Sequence, residues 1–128
     1  MRRAFLFASL AVLFLATARA QDPVKVDANH YKVEFQNERV RVLRISYGPH
    51  EKSVMHYHPA GVAVFLTDAH VRFAFPDGKT QEAEKKAGEF MWNPAGKHLP
   101  ENLADQRLEL VLVELKAGAA AAKKPAKP

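Results

Sequence analysis

Six histidines stand out in this chain: His30, His50, His56, His58, His70 and His98. Two of them form the triplet His56-Tyr57-His58. On a β-strand, residues two apart share a face. Both imidazoles then point to one side, close enough to hold a single ion, and Tyr57 points to the other. Val54 shares their parity, so the expected inward face runs Val54, His56, His58. The alternative is a pair of surface histidines on an outward face. A second stretch begins thirty residues after His58: Gly88-Glu89-Phe90-Met91-Trp92-Asn93-Pro94-Ala95-Gly96-Lys97-His98, followed by Asn102. The remaining histidines get plainer readings, His50 exposed in a turn and His30 and His70 solvent-facing at strand starts. Phe90 and Trp92 share one strand face and read as core or pocket wall. Met55 and Met91 read as packing residues. With no cysteine in the chain, disulfides, thiolate metal sites and a thiol nucleophile are excluded.

The elements that must carry these residues are strands. From Val24 to Lys116 the apolar residues recur with period two, and no segment shows a helical stripe. Tyr31, Val33 and Phe35 alternate with Lys32 and Glu34. Val71, Phe73 and Phe75 alternate with Arg72 and Ala74. Leu108, Leu110 and Leu112 alternate with Glu109 and Val111, and Val113 and Leu115 continue the run. Between Arg39 and Arg44 the pattern is mixed, and either set of residues could face inward. Asn37-Glu38, Gly48-Pro49, Asp77-Gly78 and Pro94-Ala95-Gly96 punctuate the runs, and Asp77-Gly78 is a strong hairpin signal because both residues tolerate positive φ. Short strands separated by tight turns predict an all-β sandwich or barrel.

The ends differ from the middle. Met1-Arg2-Arg3, an uncharged apolar run from Ala4 to Ala18 and the small-x-small Ala18-Arg19-Ala20 read as a signal peptide over 1–20, with cleavage near Ala20 and a mature chain from Gln21. The run is too short for a membrane span. The expected location is periplasmic or secreted. Residues 117–128 form an Ala/Lys/Pro tail with no large apolar side chain to bury, and they read as disordered. The net charge of +5 comes from these ends. Without Arg2, Arg3, Arg19, Lys123, Lys124 and Lys127 the count is 13 basic against 14 acidic residues. The middle therefore lacks the clustered basic face of a nucleic-acid binder.

Taken together, the triplet and the second stretch resemble the two motifs of the cupin superfamily. Gly88, Pro94, Gly96, His98 and Asn102 match the second motif, with one residue fewer between Gly96 and His98. His56-Tyr57-His58-Pro59 matches the heart of the first. The resemblance covers about 24–116 and implies a single-domain jelly-roll barrel. It also implies that His56, His58 and His98 are ligands of a divalent transition metal (Fe, Ni, Cu, Mn or Zn), all of which suit neutral imidazoles. One departure stands out. Where the family carries a glutamate after the triplet, this chain has Val62 and Ala63. Glu34 and Glu101 are the substitute acids considered. An acceptor is expected on the far nitrogen of each ring, and the sequence does not identify it.

Three functions are compatible with this reading. The first is a metal-dependent enzyme, with an oxygenase acting on a small chelating anion as the leading case. The second is a metal- or ligand-binding module without turnover. The third is a metal-free barrel acting in protein interaction. A homodimer is the expected assembly. No residue stands out as a general acid or base.

Overall fold

The computed structural model describes residues 21–117. The signal peptide expected over 1–20 and all but the first residue of the tail expected over 117–128 lie outside the described residues. Nine strands follow a single helical turn at Pro23–Val26, which Asp22 caps through its side chain. The strands are β1 Tyr31–Gln36, β2 Val40–Tyr47, β3 His56–His58, β4 Gly61–Phe65, β5 Ala69–Ala74, β6 Thr80–Lys85, β7 Phe90–Asn93, β8 Gly96–Asn102 and β9 Leu108–Leu115. They build two antiparallel sheets, one in the order β1-β2-β9-β4-β7 and one in the order β3-β8-β5-β6.

Period-two patterning explains the packing. Leu108, Leu110 and Leu112 of β9 and Leu43, Ile45 and Tyr47 of β2 are buried together with Tyr31, Ala63, Phe65 and Val71. The mixed pattern in β2 is thereby decided: the set Arg41, Leu43, Ile45, Tyr47 faces inward, because the register pairs Leu43 with Leu112 and Ile45 with Leu110. The expected hairpins form. Asn37 accepts the backbone N–H groups of Arg39 and Val40 between β1 and β2. Gly78, at φ 83°, turns β5 into β6.

The expected closure into a barrel is corrected. β6 is an outer strand of the four-stranded sheet and β7 of the five-stranded one, and no ladder joins them. The jelly roll is thus an open sandwich with a seam between β6 and β7.

β4 begins with Gly61, which lies opposite Glu114 of β9. A Cβ on Gly61 would stand 2.2 Å from the carbonyl oxygen of Val113. Only glycine lets the two backbones approach this closely. Gly61→Ala is expected to destabilise the protein by about 2 kcal/mol or more. The measurement is the urea midpoint at unchanged slope, and a wild-type midpoint would mean that the strands separate freely.

Candidate metal centre

The two motifs meet in one ladder. β3 pairs with β8 so that His56 lies directly opposite His98. His58 is two residues along the same face and is buried like His56. The three rings pack edge to face, with centroids 4.7 Å apart for His56 and His58, 5.0 Å for His56 and His98, and 5.2 Å for His58 and His98. One nitrogen from each ring lies within 4.8 Å of the other two.

The hydrogen bonds fix which nitrogens face the centre. His56 Nδ1 is 2.7 Å from the carbonyl of Val54, which can only accept, so Nδ1 carries the proton. His58 Nδ1 is 2.6 Å from Oε1 of Glu114 and donates to it. Both rings then turn Nε2 inward, 3.0 Å apart. Burial, with the His58 ring as a further cause, pushes the pKa of His56 down to about 4. Burial likewise pushes His98 down to about 3, with His58 and His56 adding to the shift. These two imidazoles are therefore neutral at pH 7. Nε2 of His98 is buried without a partner. Nε2 of His56 and Nε2 of His58, 3.0 Å apart, turn toward the same centre as that orphan. The donor set, three imidazole nitrogens with an orphan among them, fits a divalent transition ion.

Two carboxylates and two phenols frame the cluster. Glu114 is 1% exposed, and its Oε2 accepts from Nε of Arg41 at 2.6 Å. Arg41 in turn holds Asp22 at 2.7 Å. Burial alone would raise the carboxyl of Glu114, but the hydrogen bonds from His58 and Arg41 outweigh it and hold the group below its ordinary value. Glu114 is ionised, which keeps the proton of His58 on Nδ1. On the opposite side, Tyr31 donates its hydroxyl to His56 Nε2 at 3.1 Å and is hydrogen-bonded to the hydroxyl of Tyr47. Burial raises both phenols, so both remain protonated. Ser53 donates to Asp27 at 2.5 Å and lies 3.3 Å from His56 Nδ1.

Several expectations need correction here. Val54 is 48% exposed, because regular strand begins only at His56; its carbonyl, not its side chain, serves the site. Neither substitute acid reaches the cluster: Glu34 pairs with Lys32, and Glu101 with Arg72. The carboxylate is Glu114 instead, touching a ring's far nitrogen rather than the centre. His30 is not simply solvent-facing. It stacks on Tyr47 at 4.6 Å and binds Asp27 and Glu51. Burial opposes its charge, but the two carboxylates prevail and raise its pKa. Phe90 and Trp92 are 71% and 55% exposed and lie outside the core, although Trp92 lines a cleft, as a pocket-wall reading expects. His50 is exposed, as expected, and His70 is half-buried; they pair with Asp105 and Glu82, away from the cluster.

The fold has counterparts among solved structures. A cupin domain from Bordetella pertussis superposes with a TM-score of 0.63 at 27% identity, over 68% of this chain and 92% of that one. This chain belongs to the cupin superfamily. A cupin superfamily protein from Desulfitobacterium hafniense has the same fold at 15% identity and a TM-score of 0.51, over 66% of this cupin and 74% of that chain. A variant of oxalate decarboxylase from Bacillus subtilis matches at 20% identity and a TM-score of 0.51, over 62% of this cupin but only 22% of that longer chain. No protein-family model matches the cupin's sequence, and no curated protein matches it. Among the described residues, no helix is long and apolar enough to cross a membrane.

Proposed function

We propose that this cupin is an exported metal-binding protein in which His56, His58 and His98 hold one divalent transition ion through Nε2, and that a small molecule occupies the ion's remaining positions. The observation that carries the reading is the convergence of two buried imidazoles and the half-buried His98, with the protons of His56 and His58 drawn to the far side by Val54 and Glu114. An ion held by neutral ligands keeps its full charge and acts as a Lewis acid toward an anionic ligand, or as a redox centre for O₂ if it is iron. This chain's residues supply the rest. Glu114 orients His58, and the Tyr31 hydroxyl offers a hydrogen bond at the rim of the cluster. Inside the sandwich, a cavity of about 40 Å³ lined by Tyr31, His58, His98, Phe65 and Met91 has room for a few waters or a diatomic molecule.

The experiment is elemental analysis of the protein purified from the periplasm without chelator, beside a His56→Ala, His98→Ala double variant, with the N-terminus sequenced. The expected result is near-stoichiometric metal in the wild type, none in the variant, and a chain beginning at Gln21. Equal metal in both proteins would refute the ligand set. An intact Met1 would refute cleavage.

A further inference from the structure

The open seam between β6 and β7 holds a cleft of about 340 Å³, within the range of small-molecule sites. Its apolar lining includes Phe73, Phe75, Met91 and Trp92, and Gln81, Asn93 and Lys97 are among its polar lining residues. Phe73, Met91 and His98 line both this cleft and the small cavity behind it, so the cleft lies next to the candidate metal centre. No acidic side chain lines it. Like Lys25, Lys52, Lys85 and Lys116, Lys97 has no carboxylate within ion-pair distance among the described residues, but of these five only Lys97 lines this cleft. The cleft thus combines aromatic walls and one unpaired cation.

We infer that this seam is the binding site for a small aromatic carboxylate, whose ring packs against Phe75 and Trp92 and whose anion meets Lys97. The exposure of Trp92 follows: an aromatic side chain left uncovered beside a cleft gains most from a flat apolar partner. The size of the inner cavity supports the assignment, because about 40 Å³ excludes any ring from the interior and leaves the seam as the space for a larger molecule beside the site. The inference rests on the reading of this region as a ligand site but not on the ion.

Trp92 is the only tryptophan in the chain, so its indole N–H gives a single cross-peak in a ¹H–¹⁵N spectrum. The test titrates the protein with benzoate, benzamide and acetate, once as purified and once after chelation. Benzoate is expected to shift the Trp92 cross-peak saturably, with benzamide and acetate about tenfold weaker. Lys97→Gln, an exposed substitution that should leave the other cross-peaks in place, is expected to remove the preference for benzoate over benzamide. No saturable shift, equal affinity for benzoate and benzamide, or an unchanged Lys97→Gln variant would each overturn the inference. Benzoate binding that persists after chelation supports the cleft whatever the elemental analysis returns. Binding that vanishes with the ion overturns Lys97 and the aromatic walls as the recognition site.

Discussion

Replacing Glu114 by alanine is expected to lower the stability of this cupin by about 3–5 kcal/mol. The carboxylate is buried between His58 and Arg41, 2.6 Å from each. Removing it strands the guanidinium, which is only 18% exposed, with Asp22 as its sole remaining partner. It also releases the Nδ1 proton of His58, so that the ring can place its proton on the inward nitrogen. Metal affinity should therefore fall by about 10–100-fold. The two effects are separable. Replacing the pair together, Arg41→Met with Glu114→Leu, should restore most of the stability, since an apolar pair of similar volume replaces two buried charges. It should not restore metal affinity, since His58 still lacks its acceptor. Urea unfolding reads the first effect and metal titration the second. An alanine variant within 1 kcal/mol of wild type, on the scale of an exposed ion pair, would show that the network is solvated.

Acid should unfold the metal-free protein. His56 and His98 have pKa values near 4 and 3 in the folded state, below the ordinary 6.5. Between those values the unfolded chain binds two protons that the folded chain excludes. Stability is therefore full above pH 6.5 and falls as the pH drops toward 4. At 1.36 kcal/mol per pKa unit, each histidine contributes about 3 kcal/mol to the loss by pH 4. Together they remove about 6 kcal/mol, comparable with the whole stability of a small domain. Glu114 acts in the same direction, because its carboxyl is held low in the folded state. His30, raised in the folded state, contributes stability that is already full at pH 6.5 and does not offset the loss below it. Denaturant midpoints at pH 7 and pH 4 check this, and coincident midpoints would mean that the imidazoles are hydrated. Bound metal should shift the fall, since protons and the ion compete for the same nitrogens.

The strands and their turns were legible because period-two alternation and turn chemistry are local properties. Tyr31 to Phe35, Val71 to Phe75 and Leu108 to Leu112 each declare an inward face without reference to any other segment. The spacing of His56 and His58 on one strand face was legible for the same reason. Glu114 left a signal that was not used: it shares the parity of Leu108, Leu110 and Leu112, a charge at an inward position that calls for a buried partner. Arg41 holds the matching position on β2, opposite Glu114 in the ladder.

The sequence by itself determined the all-β class, the strand positions and the three histidines that could share a site, because each follows from residues close together in the chain or from two recognisable motifs. Tertiary structure alone decided the rest. The register that sets His56 against His98 joins residues 42 apart. The contact of Glu114 with His58 spans 56 residues, and that of Tyr31 with His56 spans 25. The open seam between β6 and β7 depends on which strands end up at the sheet edges, and so does the exposure of Trp92. Alternation along a strand says which side chains share a face. It does not say which strand lies opposite or which edge stays uncovered, because those are settled by how two sheets pack over a common core.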